Sequence, residues 1–198
     1  MPFARQDIIQ WEAGNYYHIY NRGARGKSIF REKTNYLFVL DKMRHYSKAL
    51  NLTFISYTLM PTHYHFCLRQ DGEKPAGLLP QRVFNSYTKA YNKRYLQSGT
   101  LFEGRYHAKP VETENYLLHL CRYIHANPVK DGLVGDLDDW DYSNYHEWVG
   151  KRQGQLFDPD FVAAYFNTPQ DYRNFVLDYL LTRDFPEEIR LYLEQLEK

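Results

Sequence analysis

Short β-rich runs and helical repeats alternate along most of the chain, in an order that few folds can accommodate. A strand pattern ending in an Asn-Arg-Gly loop is followed by a helical repeat, then by two β-rich runs joined by Pro61-Thr62. A second helix, a further strand and a third helix follow. This β-α-β-β-α-β-α order predicts an α+β fold, namely a ferredoxin-like antiparallel four-stranded sheet with helices on one face and one extra helix.

The boundaries of these elements follow from turn and capping signals. The strands are predicted at residues 16–20, 52–60, 63–69 and 105–111, and the helices at residues 34–50, 81–96 and 113–127. Thr113 is expected to cap the last of these helices, and Pro128 is expected to end it.

Residues 151–198 form a region of different character. They contain three short helical patterns, predicted at residues 158–166, 169–183 and 186–197. A chain of 198 residues is long enough for one well-cored domain and an appendage. We therefore expect a domain at residues 1–150 and a helical C-terminal appendage at residues 151–198, which stabilises the domain, covers its site as a lid or regulates oligomerisation.

Charge and composition leave nucleic-acid binding open and argue against a membrane protein. Residues 1–150 carry 19 Lys and Arg against 15 Asp and Glu, whereas residues 151–198 carry 6 against 9. A mildly basic body is compatible with a phosphate-binding groove. No run approaches the ~18 apolar residues needed to span a bilayer, and no apolar N-terminal run predicts a signal peptide. We expect a cytoplasmic protein with free thiols at Cys67 and Cys121.

The segment His63-Tyr64-His65 carries the strongest chemical signal. Alternate side chains of a strand share a face, so His63 and His65 project together, and Tyr64 projects the other way. Two imidazoles whose Cα atoms are roughly 6–7 Å apart can converge on one divalent metal ion. A pair of solvent-facing or hydrogen-bonded histidines would fit the same pattern.

A second signal lies on the third helix. His119, Tyr123 and Asn127 recur every four residues and therefore share one helix face. If that face lies over the paired histidines, the Asn127 amide oxygen supplies a third ligand, and the Tyr123 hydroxyl becomes a candidate nucleophile. Alternatively, Tyr123 is a core aromatic residue, and Asn127 is a helix cap before proline.

Several ordered motifs together resemble a known family. They are Tyr17-His18-Ile19-Tyr20-Asn21-Arg22-Gly23, Met60-Pro61-Thr62-His63-Tyr64-His65, Phe102-Glu103-Gly104-Arg105-Tyr106, Tyr116-Leu117-Leu118, Arg122 through Gly132, and the aromatic stretch from Trp140 to Tyr145. This combination resembles the HUH superfamily of single-tyrosine transposases, and within it the REP-associated tyrosine transposases. The resemblance covers about residues 15–148. Tyr64 departs from it, because the family prefers an aliphatic residue there.

The resemblance implies a site and a reaction. His63 and His65 match the family's metal-binding histidines, Asn127 matches the third ligand, and Tyr123 matches the nucleophile. The implied activity is a metal-dependent single-stranded DNA endonuclease and strand transferase that uses Mg²⁺ or Mn²⁺. Attack by Tyr123 leaves a 5′-phosphotyrosine intermediate, which a 3′-hydroxyl can religate. The metal, Lys130 and Lys109 are the candidates for helping the phenol to ionise.

The implied partner is single-stranded or hairpin DNA, handled by a monomer or a homodimer in the cytoplasm, associated with the nucleoid. Basic side chains on loops and helices, interleaved with tyrosines, are expected to contact it. The candidates for DNA binding are Arg22, Arg25, Arg82, Lys89, Lys93, Arg105 and Lys130.

Two other interpretations remain open. The chain could be a non-catalytic, domesticated protein that binds DNA hairpins, although such a protein does not require all four residues of the candidate site. Alternatively, Cys67 continues the alternation from His63 and His65, and with Cys121 or His125 it could complete a structural zinc site.

Overall fold

Four antiparallel strands form one sheet in the order β2-β3-β1-β4, in a computed structural model that describes residues 9–183, 185 and 190. The elements in chain order are β1 (Tyr16–Arg22), α1 (Lys33–Leu50), β2 (Leu52–Leu59), β3 (His63–Gln70), α2 (Leu78–Arg94), β4 (His107–Val111), α3 (Glu114–Lys130), α4 (Tyr145–Trp148), α5 (Pro159–Tyr165) and α6 (Pro169–Thr182). The predicted α+β fold and its ferredoxin-like sheet are therefore confirmed. The helix predicted at residues 186–197 falls outside the described residues, apart from Arg190.

The two faces of the sheet carry separate hydrophobic cores. On one face α1 and α2 pack over a core that includes Tyr17, Ile19 and Tyr64. On the other face α3 packs over a second core that includes Cys67 and Val111. The period-two alternation of each strand supplies one set of side chains to each core. The extra helix of the predicted fold is thus the one that covers the face opposite α1 and α2.

Helix α3 begins as expected and ends later than expected. The Thr113 hydroxyl accepts a hydrogen bond from the backbone N–H of Tyr116, which makes Thr113 the N-cap. The helix does not stop before Pro128 but continues to Lys130. A proline this close to the helix end removes only one backbone donor, and the N–H groups of Asp131 and Gly132 close the last turn on the carbonyls of Asn127 and Val129.

Helices α5 and α6 continue the second core. Tyr172, Val176 and Tyr179 of α6 are buried in it, so α6 covers the side of α3 that the sheet does not. Helix α6 starts with a capping box, in which Thr168 and Asp171 exchange hydrogen bonds between side chains and backbone N–H groups. No helix among the described residues is long and apolar enough to cross a membrane.

The buried side chain of Asn144, the residue before α4, is hydrogen-bonded to a bulge in β2. The ladder between β2 and β3 shifts register between Phe54 and Ser56, which takes the carbonyl of Ile55 out of the regular pattern. Asn144 Nδ2 donates to this carbonyl at 2.8 Å, and the Trp148 indole N–H donates to it at 3.0 Å. Asn144 Oδ1 accepts from the backbone N–H of Tyr57 at 2.8 Å. One side chain therefore satisfies polar groups that the bulge would leave buried and unpaired.

Replacing this asparagine should destabilise the fold. Asn144→Leu keeps the volume but leaves the buried N–H of Tyr57 without its acceptor, so the free energy of unfolding should fall by about 2–4 kcal/mol. Urea unfolding followed by tryptophan fluorescence measures the change. The matched control is Asn174→Leu on the exposed surface of α6, which should change stability by less than about 0.5 kcal/mol. Equal losses in the two variants would contradict this account of the bulge.

Candidate active site

The two histidines of β3 lie side by side beneath α3. Their ring centroids are 5.2 Å apart, and the rings are nearly perpendicular. His65 is only 4% exposed, whereas His63, at the first position of the strand, is partly exposed. Tyr64 points to the opposite face and stacks on Phe84 of α2 with centroids 4.2 Å apart. The alternation predicted from the sequence thus places both imidazoles on one face and the unusual tyrosine in the other core.

In each histidine the Nδ1 atom has a partner close by. Nδ1 of His63 lies 3.0 Å from the hydroxyl of Thr62, and Nδ1 of His65 lies 3.0 Å from Nε2 of His18. The Nε2 atom is on the opposite edge of an imidazole, and for His63 it lies 3.9 Å from Oδ2 of Asp131. With Nδ1 engaged, Nε2 is the nitrogen that remains for a metal ion on each ring.

Burial keeps the histidines of this face neutral. It lowers the pKa of His65 well below its usual value, and the neighbouring His63, His18 and Lys130 lower it further. The pKa of His63 is also lowered by burial, although Asp131 and Asn127 act in the opposite direction. Burial, aided by Lys109, lowers the pKa of His18 to about 3. Neutral imidazoles are the form that binds metals.

Helix α3 brings the tyrosine and the asparagine to these histidines. The ring of Tyr123 meets the ring of His65 edge to face, with centroids 5.6 Å apart. One turn later, Asn127 Nδ2 donates to the carbonyl of Tyr123 at 2.8 Å, and the same side chain is hydrogen-bonded to His63. Because the amide nitrogen donates to the helix, the amide oxygen is the atom with which Asn127 would meet a ligand. The four residues predicted from two distant segments therefore lie together.

Charged residues at the end of α3 complete the surroundings of Tyr123. The Lys130 ammonium lies 5.7 Å from the centroid of the Tyr123 ring and 3.0 Å from Oδ1 of Asp131. Lys109, the other lysine considered for ionising the phenol, lies over Tyr116, two turns earlier in the helix. Of the two lysines, Lys130 is therefore the one beside the candidate nucleophile.

The C-terminal residues cover the outer side of Tyr123. Tyr123 is only 2% exposed, and its ring lies 6.4 Å from that of Tyr179 and 6.3 Å from that of Phe185. The neighbouring Arg122 is also buried, with its guanidinium 4.5 Å from the ring centroid of Phe175. In this conformation the ring of Tyr123 is enclosed between the sheet and the C-terminal residues.

The predicted DNA-binding residues divide into two groups. Arg22 lies opposite His63 in the sheet, Arg25 follows it in the short turn Ala24–Gly26, and Arg105 precedes β4 at the same end of the sheet. Lys130 adjoins the site itself. The second group lies on the exposed surface of α2, in the layer on the other side of the sheet, and consists of Arg82, Lys89 and Lys93. The structure does not bring this second group to the histidines and Tyr123.

The zinc alternative is not supported. His125 is buried and engaged on both nitrogens, by the Tyr172 hydroxyl and by Asn144 Oδ1. Cys67 does meet Cys121, and both thiols are buried. No three His, Cys, Asp or Glu side chains within the described part of the chain are grouped to hold a metal ion. A metal ion at His63 and His65 would therefore require a third ligand of another type, and the amide of Asn127 is the nearest candidate from the sequence.

Two residues of this face were missed by the sequence analysis. His18 contacts His65 from the neighbouring strand, and Asp131 adds a carboxylate next to His63. The alternation of Tyr16, His18 and Tyr20 along β1 could have predicted that these side chains share one face of the sheet. The contact between His18 and His65, however, depends on the pairing of β1 with β3. Asp131 was hidden because Pro128 was expected to end the helix before it.

Comparison with known proteins identifies the family. The family model described as "Transposase IS200 like" matches residues 13–127, which is more than half of the chain. The protein therefore belongs to the IS200-like transposases, and the predicted resemblance to HUH tyrosine transposases is confirmed. A search of curated proteins finds no match.

Solved structures agree with the fold. Thirteen chains match. A REP-associated tyrosine transposase bound to a REP hairpin has a TM-score of 0.63 and 17% sequence identity, over 80% of this chain and 94% of the other. A proposed transposase from Deinococcus radiodurans R1 has a TM-score of 0.38 and 18% identity, over 63% of this chain and 95% of the other. The first match establishes a shared fold, and the second is too weak to support an argument.

Buried histidines should make the protein sensitive to acid. Burial lowers the pKa of His125 from 6.5 to about 3, so the unfolded state binds a proton that the folded state rejects. The stability contributed by neutral His125 is complete above pH 6.5 and is lost as the pH falls towards 3. His125→Gln, which keeps a donor and an acceptor, should make the dependence of the free energy of unfolding on pH shallower by about 1.4 kcal/mol per pH unit.

Urea unfolding at a series of pH values between about 4 and 7 measures this slope. His45→Gln provides the matched control, because His45 lies exposed on α1 and its replacement should leave the slope unchanged. A His125→Gln slope equal to that of the wild type would show that His125 does not contribute to acid sensitivity.

Proposed function

We propose that this protein is a metal-dependent single-stranded DNA endonuclease and strand transferase that cleaves at DNA hairpins through attack by Tyr123. The observation that carries the proposal is the packing of the Tyr123 ring against His65, with His63 and Asn127 in the same patch. These residues come from a strand and a helix that are distant in sequence. Membership of the IS200-like transposases supports DNA as the substrate.

The donor atoms suit a divalent cation. His63 and His65 are kept neutral by burial, and the Asn127 amide is oriented by its hydrogen bond to the Tyr123 carbonyl. These three residues would hold Mg²⁺ or Mn²⁺, and Asp131 would add a nearby carboxylate, the oxygen ligand that both ions prefer. When bound, the metal supplies positive charge at a non-bridging oxygen of the scissile phosphate.

The residues of the chain perform the covalent step. The Tyr123 hydroxyl loses its proton and attacks the phosphorus, so that a bond from phosphorus to the phenolic oxygen forms. The bond to the 3′ oxygen breaks, and that oxygen leaves with a proton as a free 3′-hydroxyl. The Lys130 ammonium lies beside the ring, where it can interact with charge that develops on the phenolic oxygen during attack. A later 3′-hydroxyl reverses the step and joins the ends without ATP.

Recognition of DNA is assigned chiefly to the end of the sheet near His63. Arg22, Arg25 and Arg105 gather there, and Lys130 lies beside the nucleophile. These four cations suit the phosphates of a single strand or of a hairpin, and a protein of the same fold has been solved with a hairpin bound. The residues of α2 would meet only DNA that passes around the sheet edge. The active species is proposed to be a monomer or a homodimer in the cytoplasm, associated with the nucleoid.

The nuclease domain is proposed to comprise residues 1–150, with residues 151–198 as an appendage whose Tyr179 and Phe185 cover Tyr123. Because Tyr123 is 2% exposed against Tyr179 and Phe185, the cover must move before a phosphate reaches the hydroxyl. The same burial is the one observation that favours the second candidate function, a domesticated protein that binds hairpins without cutting them.

Loss of the phenol should abolish covalent chemistry. Wild-type protein incubated with labelled hairpin oligonucleotides and Mg²⁺ or Mn²⁺ should form an adduct that survives a denaturing gel, disappears with EDTA and reverses with an added 3′-hydroxyl strand. Tyr123→Phe should form none, because the ring without its oxygen has no nucleophile. Tyr116→Phe is the matched control, a buried tyrosine two turns earlier on α3, and should keep adduct formation within about twofold. Binding by the wild type without any adduct would favour the hairpin-binding protein.

The two basic groups should differ in their contribution to DNA binding. Replacing Arg22, Arg25 and Arg105 together by Gln should weaken the salt dependence of binding to a short hairpin. The slope of the logarithm of the binding constant against the logarithm of the salt concentration should become less steep by roughly three, about one for each lost phosphate contact. The triple replacement of Arg82, Lys89 and Lys93 by Gln changes the net charge equally and serves as control. It should leave the slope nearly unchanged. Equal effects of both sets, measured by fluorescence anisotropy at several salt concentrations, would show that DNA also contacts α2.

A further inference from the structure

His18 occupies the middle of β1 and is completely buried beside the proposed metal ligand His65. Its Nε2 atom lies 3.0 Å from Nδ1 of His65, and the two ring planes are inclined by only 22°. Because the centroids of these nearly parallel rings are 5.2 Å apart, the two nitrogens point towards each other, as one N–H···N hydrogen bond requires. In the sheet His18 lies opposite Cys67 of β3 and Lys109 of β4.

Two facing ring nitrogens share one proton, and its position decides whether His65 can bind a metal ion. If the proton is on Nδ1 of His65, that nitrogen donates to His18, and Nε2 of His65 has a lone pair to offer. If the proton is on Nε2 of His18, Nδ1 of His65 accepts the hydrogen bond, and the single N–H proton of neutral His65 must be on Nε2. A protonated Nε2 has no lone pair for a metal ion.

We propose that His18 is a positioning residue that accepts the Nδ1–H of His65 and so fixes both the tautomer and the ring orientation of this ligand. The inference rests on the proposed metal site and adds to it a residue that does not touch the metal. Histidine ligands in proteins commonly donate their second N–H to a carboxylate, a carbonyl or a water. Here the acceptor is a second neutral imidazole, which adds no negative charge to the site.

The surroundings of His63 differ from those of His65, which explains why only His65 is expected to depend on such a positioning residue. The Nδ1 partner of His63 is the Thr62 hydroxyl, which can rotate to accept or to donate. His63 is also partly exposed, so water can meet its remaining nitrogen. His65 is enclosed between the sheet and α3, and its orientation depends on fixed neighbours. A buried imidazole acceptor has no rotatable hydrogen, so it defines the arrangement of His65 more narrowly.

Manganese binding by the full chain tests the proposal without relying on catalysis. The free Mn²⁺ signal in electron paramagnetic resonance would be titrated with wild type, His18→Phe and His18→Gln. His18→Phe keeps an aromatic ring but removes the acceptor, so it should weaken Mn²⁺ binding about 10–100-fold. His18→Gln can place its amide oxygen near the former Nε2 position, and should restore binding to within about threefold of wild type.

A second buried histidine supplies the control for general destabilisation. His125 has the same near-complete burial as His18, but its hydrogen bonds go to Tyr172 and Asn144, away from the metal ligands. His125→Phe should therefore lower the melting temperature while keeping Mn²⁺ affinity within about twofold of wild type. A loss of affinity in His125→Phe as large as that in His18→Phe would overturn the proposal, as would full affinity in His18→Phe.

Nitrogen NMR of the metal-free protein reads the tautomer directly. Long-range ¹⁵N–¹H spectra should show His65 protonated on Nδ1 in the wild type and in His18→Gln, and a mixture of tautomers in His18→Phe. Protonation of wild-type His65 on Nε2 would overturn the proposal. If the wild type binds no Mn²⁺, the metal site itself fails, and the tautomer spectra still decide whether His18 sets the protonation of His65.

Discussion

The packing of α3 across the sheet face that β2 and β3 share is the constraint on which the rest of the structure depends. Strand alternation alone places His63, His65 and Cys67 on one face, and helical periodicity alone places Tyr123 and Asn127 one turn apart. Neither pattern makes a site by itself. Because the helix lies over the strand, Tyr123 meets His65 and Asn127 meets His63. Because both sets of side chains are on regular secondary structure, their relative positions are better defined than those of residues on a loop.

A polar site inside a hydrophobic core is stable only if its groups are neutral or paired. Burial lowers the pKa values of His18, His63 and His65, so that these rings enter the core uncharged. Hydrogen bonds then engage a nitrogen of each ring, between Thr62 and His63 and between His18 and His65. The same neutrality that makes the rings tolerable in the core is what a metal ligand requires. Stable folding and metal binding thus both require neutral imidazoles on this face of the sheet.

The sequence predicted those parts of the molecule that local periodicity controls. The order of elements, the sheet and the shared faces of His63 with His65 and of Tyr123 with Asn127 all follow from patterns within one segment. The assignment of these residues as ligands and nucleophile stays a prediction. Contacts between distant segments could not be predicted from the sequence. The pairing of His18 with His65, for example, depends on which strands are neighbours in the sheet.

Two features of the structure differ from what local sequence signals predicted, because contacts between distant segments determine them. Pro128 was expected to end α3, but the last turn is closed by hydrogen bonds beyond it, and this turn positions Lys130 beside Tyr123. The basic residues of α2 looked equivalent to those near β1 in sequence, yet the sheet separates them. Charge alone carries no information about which layer of a fold a residue will join.

The family match ends at residue 127, whereas the enclosure of Tyr123 is completed by residues beyond it. Tyr179 and Phe185 bury apolar surface against a ring whose hydroxyl must reach a phosphate for the proposed chemistry. Each contact that stabilises the second core therefore also stabilises the closed arrangement over the nucleophile. Opening it exposes aromatic surface to water, an unfavourable change unless DNA bases or another apolar surface replace the lost contacts. In the proposed function, binding of the strand and uncovering of Tyr123 would therefore be coupled through the same set of side chains.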